Sequence, residues 1–351
     1  RLRAALPLLL AVLAAACAPQ RGQLASAPAR ESGWAFERSD VPVDPAFRFG
    51  QLPSGLRYIV RHNATPRGTA LVRMEVAAGS LNEADSERGF AHFVEHMAFN
   101  GSTQVPEGEM IPLLERHGLA LGADTNAETS FDRTTYKLDL PRADPALLDL
   151  AVKLMRETAS ELTFSPEAVE RERGVIMAER RDRNTWQLRN MQAQADFQHP
   201  GALYTRRFPI GSEDTLKAAS ADTLRAFWRR EYVPAQTTLI IVGDMPVETM
   251  EAAVRQHFGS WHANGEAQSQ TQPDAGPVSP HDKGRTAIYI DPALSERVIA
   301  SRHGKWLKEP DTVIQRQENL LRQIGYGVVN RRLLRLSRQP DPPLRSGGLG
   351  T

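Results

Sequence analysis

The sequence predicts an α+β fold, a mostly antiparallel sheet flanked by helices, followed by an incomplete second unit of similar kind. Three observations lead there. Short β-branched runs come in neighbouring pairs separated by turn residues, and longer stretches with helical apolar spacing follow them. Composition is that of a folded protein, 41% hydrophobic and 24% charged over 351 residues. Near His262 the composition shifts to Asn, Gln, Ser, Gly and Pro, after which strand and helix patterns restart.

The chain opens on "RLRAALPLLLAVLAAACAPQ": two arginines, an apolar run from Ala4 to Ala16, then Cys17. The run is too short for a mature membrane span and has the layout of a secretory signal. Ala14, Ala15 and Ala16 directly before Cys17 resemble a bacterial lipoprotein signal. That resemblance implies cleavage before Cys17, lipidation of its thiol and a membrane anchor of several acyl chains. It places the protein in the cell envelope, at the periplasm-facing side of the outer membrane. A simple signal with an A-x-A cleavage site is the alternative; both readings export the chain. A single cysteine excludes an intrachain disulfide framework.

Residues 18–44, rich in Ala, Pro, Ser and Gly, read as a flexible tether. In the domain over 45–261, "LRYIVRH" and "TALVRMEVAAGS" read as strands flanking the turn "NATPRG". A helix is expected from about Glu87 to Asn100, stopped by Gly101, and another from about Glu107 to His117, stopped by Gly118. "LALGADTNAETS" and "RTTYKLDLP" read as two more strands. Helices are expected at Pro145–Leu162, at Glu167–Ala195 behind Ser165 and Pro166, and at Ala221–Tyr232. "TTLIIVGD" is a buried strand and "VETMEAAVRQHF" a helix. Residues 262–281 form the linker. Residues 282–351 begin the second unit, with a strand at "RTAIYID" and a helix from about Asp311 to Ser337. About seventy residues cannot bury a core like the first domain's, so this unit reads as truncated.

Net charge is +1, which gives no bulk attraction to nucleic acid. The basic residues from Arg322 to Arg338 read as a solvated helix face.

The chemistry concentrates in "GFAHFVEHMAFNGS". On a helix His92, Glu95 and His96 fall within about 100° of arc, so they share one face. Two imidazoles one turn apart can hold Zn2+ at about 2.0–2.1 Å, and the carboxylate beside them can take a proton from water that the metal acidifies. The order His-x-x-Glu-His is the inverse of the common zinc-protease helix motif. Phe90, Ala91, Val94, Ala98 and Phe99 make most other faces of this helix apolar. A helix buried on most sides rarely leaves such a polar stripe unpartnered. A third protein ligand is needed, and "VERERGVIMAERRDR" offers carboxylates. Glu172 and Glu179 lie two turns apart, about 10 Å along one stripe, so only one can ligate while the other orients a histidine.

With "GFAHFVEHMAFNGS", the stretches "GADTNAETSFDRTTYKLDLP", "ERERGVIMAERR", "RRFPIG" and "TTLIIVGDM" follow in order over about residues 45–260. Together they resemble the insulinase/pitrilysin family of zinc metallopeptidases, the inverzincins. The resemblance implies a half-barrel metallopeptidase domain that uses one Zn2+ to hydrolyse bonds in peptides or unfolded polypeptides. It makes His92, His96 and Glu179 the ligands, Glu95 the catalytic base and Glu172 the supporting carboxylate, with Glu170 a weaker candidate. It also implies that "ADTNAETS" is an edge strand pairing with substrate backbone, Asn126 and Ala127 nearest the scissile bond. Members of the family close a chamber from two halves, and the opposing half supplies an Arg and a Tyr. No complete second half is legible here, so a partner-dependent or non-catalytic subunit, or a truncated fragment, is the alternative.

Overall fold

The alternation in "ALVRMEV" sets the two faces of the sheet. Ala70, Val72, Met74 and Val76 are buried, whereas Leu71, Arg73 and Glu75 are half-buried. The same period of two recurs along the other long strands, so one face meets a helical layer and the other is only partly covered. The computed structural model describes residues 33–263, 273–276, 283–294, 296–303 and 309–350. The signal-like segment with Cys17, most of the predicted tether and much of the predicted linker lie outside the described residues.

Six strands form the sheet: β1 (Phe47–Gln51), β2 (Arg57–His62), β3 (Ala70–Val76), β4 (Thr125–Thr129), β5 (Thr134–Leu140) and β6 (Thr237–Gly243). Their spatial order is β1-β2-β6-β3-β5-β4. β2 and β6 run parallel and every other neighbouring pair is antiparallel. The apolar run of β6 is explained by its central place between β2 and β3. β4, the strand of the "TNAET" stretch, lies at one edge.

The helices are α1 (Phe90–Met97), α2 (Met110–Arg116), α3 (Pro145–Ser160), α4 (Pro166–Arg183), α5 (Trp186–Gln198), α6 (Glu213–Ala218), α7 (Ala221–Glu231), α8 (Val247–Phe258) and α9 (Val313–Ser337). Side-chain caps fix several starts. Asp144 accepts from the Ala146 N–H before Pro145, and Ser165 accepts from the Ala168 N–H before Pro166. α3 and α8 pack on each other over β2, β3 and β5, while α1 lies between α4, α7 and β4.

Several expectations need correction. The helix expected over Glu167–Ala195 is two helices. Asn184 leaves helical geometry (ψ 56°), and Thr185 begins α5 by accepting from the Leu188 N–H. The strand in "LALGADTNAETS" is confined to Thr125–Thr129. Its first half folds back instead: the Thr125 N–H donates to the Ala120 carbonyl, and the Gly122 N–H to the Thr125 carbonyl. "RTAIYID" forms no strand: it pairs with no strand among the described residues, and Ile288 and Ile290 are 85% exposed. β1 and α6 are elements that sequence reading missed. The last dozen residues of the expected tether lie against the domain. Trp34 and Phe36 pack on Phe49 at ring-centroid distances of 5.0 and 4.6 Å. α9 forms where expected and buries no residue, in keeping with a solvated face for its arginines.

Candidate metal centre

The local sequence seats α1 firmly before it presents anything. Gly89 precedes it at φ 99°, and a Cβ added to Gly211 (φ 69°) would lie 2.5 Å from the Gly89 Cα. Only glycine suits either position. The buried Glu83 carboxyl accepts from the Ala91 N–H at 2.9 Å, satisfying a donor of the first helical turn that has no partner within the helix. Phe90, Phe93, Val94 and Met97 then enter the core. What remains is the stripe His92, Glu95 and His96.

The structure brings His92, His96 and Glu179 together, with one ligand atom of each within 4.8 Å of the others. Glu179 Oε2 is 3.5 Å from His92 Nε2 and 3.4 Å from His96 Nε2. Tetrahedral ligands about 2.0–2.1 Å from one zinc stand about 3.4 Å apart, so this donor set fits the ion. The other Glu179 oxygen pairs with Arg183 at 2.5 Å. Glu172 lies on the far side of His96, its Oε2 3.1 Å from Nδ1. That contact favours a proton on Nδ1 and leaves Nε2, on the Glu179 side, as the nitrogen that would meet a cation. His92 Nδ1 is buried with no hydrogen-bond partner among the described residues. Glu170 faces away, bound to Arg173 at 2.7 Å.

The electrostatics suit a cation. Burial, and then the neighbouring His96 charge, hold the His92 pKa below the ordinary imidazole value. Burial also pulls His96 down, but hydrogen bonds to Glu172 and Glu179 outweigh it and raise it to about 9. The His96 contact and the His92 and Arg183 charges lower Glu179 despite its partial burial. Burial opposes ionisation of Glu172 as well, and the His96 contact overrides it. Two carboxylates thus favour positive charge between them. Glu95 differs: burial raises its pKa, against a hydrogen bond from Thr129 Oγ1 to Oε2 at 2.5 Å.

β4 runs beside this cluster. Asn126 is exposed, and Ala127 is half-buried against the core. The Asp139 N–H donates to the Asp124 carbonyl and the Ser130 N–H to the Arg133 carbonyl, so the even-numbered residues of β4 face β5. The backbone groups of Ala127 and Thr129 therefore point off the free edge. The Ala127 N–H donates to the Asn126 side chain at 2.9 Å. Sequence reading missed Thr129 and Arg183. Period two from Ala127 and an i,i+4 step from Glu179 are the signals that could have found them.

A model of the insulinase family (peptidase family M16) matches residues 58–201, and one of the peptidase M16 inactive domain matches residues 218–312. The second match begins before β6, which belongs to the same sheet as β2 and β3. Among curated proteins, a probable zinc protease PqqL of Haemophilus influenzae is 31% identical over 310 residues, 86% of this chain and 32% of its own. A zinc protease PQQL-like protein of Arabidopsis thaliana is 30% identical over 84% of this chain and 31% of its own. The crystal structure of the first half of the periplasmic protease PqqL from Escherichia coli matches with TM-score 0.64 at 34% identity. That match covers 69% of this chain and 51% of that one. The chain spans about a third of the length of these curated relatives.

Proposed function

The chain belongs to the insulinase family of peptidases, and on that premise we propose that it is the metal-bearing part of a zinc metalloendopeptidase acting on peptides or unfolded polypeptides. The observation that carries this reading is the convergence of His92, His96 and Glu179 with Glu95 on the same helix face. His92, His96 and Glu179 would hold one Zn2+, which supplies Lewis-acid chemistry, polarising a carbonyl and acidifying water. Glu172 holds the His96 ring in orientation. Glu95 takes the proton of the attacking water and returns it to the leaving nitrogen; burial, which raises its pKa, suits a group that must hold that proton in between. The free edge of β4 aligns an extended peptide through the backbone of Ala127 and Thr129, with Asn126 beside them. Because the Ala127 N–H is held by Asn126, a docking peptide must displace that side chain.

Zinc stoichiometry and peptide hydrolysis by wild type and Glu95→Gln test the assignment. The variant should keep one zinc per chain and lose cleavage by about 10²–10⁴-fold. A Glu95→Gln protein that cleaves normally removes Glu95 from the mechanism.

A second reading, a partner-dependent subunit, is favoured by α9, which buries no residue among the described residues. Peptide cleavage by this chain alone, against cleavage after a C-terminal half is supplied, separates the two. Export is part of the proposal: the Escherichia coli relative is described as periplasmic, and "LPLLLAVLAAAC" has a signal-like layout. No helix of the described residues is long and apolar enough to cross a membrane. Cys17→Ser should release the protein from the membrane fraction if Cys17 carries the anchor.

A further inference from the structure

We propose that Thr129 is a positioning residue for Glu95, so that the strand that docks the peptide also aims the base. This inference rests on the metallopeptidase reading. Thr129 Oγ1 donates to Glu95 Oε2 at 2.5 Å, and no other hydrogen bond reaches the Glu95 side chain among the described residues. A glutamate has three rotatable bonds, and one short hydrogen bond from a β-branched, χ1-restricted partner removes much of that freedom. With Oε2 held, Oε1 is the oxygen left to meet a proton on the donor side of the cluster.

The placement of Thr129 gives the contact its meaning. It stands opposite Thr134 in the sheet register, and the neighbouring Ser130–Arg133 hydrogen bond puts its own backbone groups on the free edge. Its side chain points the other way from Asn126 and Glu128, toward α1. A peptide laid along this edge would bond the backbone of the residue whose hydroxyl holds the base. Peptide docking and base orientation then pass through one residue.

Zinc-loaded wild type, Glu95→Gln, Thr129→Val and Thr129→Ser are titrated with acetohydroxamate, whose proton a correctly aimed Glu95 must accept. Zinc content and unfolding midpoint are measured alongside. The Thr129→Val protein should keep one zinc and bind acetohydroxamate about tenfold more weakly, while Thr129→Ser returns to within about threefold of wild type. Thr129→Val binding as tightly as wild type, while Glu95→Gln is weakened, overturns the inference and leaves the metallopeptidase reading intact. Loss in both Thr129 variants also overturns it, since a restored hydroxyl should restore the aim. Equal binding by wild type and Glu95→Gln overturns both readings. If Thr129→Val does not fold, Thr129→Ser decides the case: binding beyond about threefold weaker than wild type overturns the inference.

Discussion

Glu83 is 4% exposed, and one of its carboxylate oxygens has no hydrogen-bond partner among the described residues. Burial raises its pKa to about 8, although the Ala91 and Gly89 N–H groups and the Arg207 charge pull the other way. Its ordinary value is 4.5, so the folded state binds this proton more tightly than the unfolded state. The stabilisation is complete below about pH 4.5 and is lost as pH rises through about 8, a change on the order of a few kcal/mol. Glu83→Gln keeps an acceptor for the Ala91 N–H and cannot ionise. Melting temperatures between pH 5 and 9 should fall for wild type and stay nearly flat for the variant; parallel curves would mean that Glu83 is not the group responsible. Nothing in the sequence marked Glu83, because its environment is made by residues distant in the chain. His92, Glu95 and His96 were legible because their relation is local, one turn of one helix. Spacing could not choose between Glu172 and Glu179, since both lie on the same stripe of α4. The structure separates them by which nitrogen of His96 each one faces.

The position of α1 as a rigid element depends on the contact between Gly89 and Gly211 at its start. Gly211→Ala introduces a Cβ 2.5 Å from the Gly89 Cα and a side chain at φ 69°. Left-handed backbone costs about 1–2 kcal/mol and overpacking about 1–3, so destabilisation of about 2–5 kcal/mol is expected in chemical denaturation. Because α1 carries two of the proposed donors, zinc affinity should fall with it. Full stability with unchanged zinc binding would show that the loop ending at Gly211 yields instead. The elements with strong period-two or helical patterns, β2, β3, β5, β6 and α8, were readable from sequence. The break at Asn184 and Thr185 was not, because both residues are tolerated inside helices and the cap shows only once Thr185 turns outward. "RTAIYID" failed for the opposite reason: its pattern is strand-like, but a strand needs a neighbour, which no local pattern reports.

At the scale of the whole molecule, the sheet and its helices close a core that ends at Trp261, which is 4% exposed and lies under the Arg156 guanidinium at 5.7 Å. Beyond it, among the described residues, contacts to the domain are polar or peripheral. Arg189 pairs with Asp291, the Val313 N–H donates to Asp40, and Arg285 lies over Phe197. Exposed ion pairs such as Arg189–Asp291 contribute little to stability. Strand and helix patterns with the composition shift at His262 suggested a domain over residues 45–261, and Trp261 is the last buried residue among those described. The N-terminal limit omits Trp34 and Phe36, whose rings complete the cluster on Phe49 and support Arg57 at 5.3 Å. Aromatic pairs contribute about 0.5–1.5 kcal/mol each beyond the area they bury. A fragment of residues 33–263 should therefore unfold cooperatively, bind one zinc and melt within about 3 °C of the full chain. A fragment of residues 45–261 should melt roughly 4–10 °C lower, at about 2–4 °C per kcal/mol for a domain of this size. Calorimetry on the two fragments checks both limits. Equal melting temperatures would return Trp34 and Phe36 to the tether, and a 33–263 fragment that fails to fold would make the C-terminal residues part of the domain.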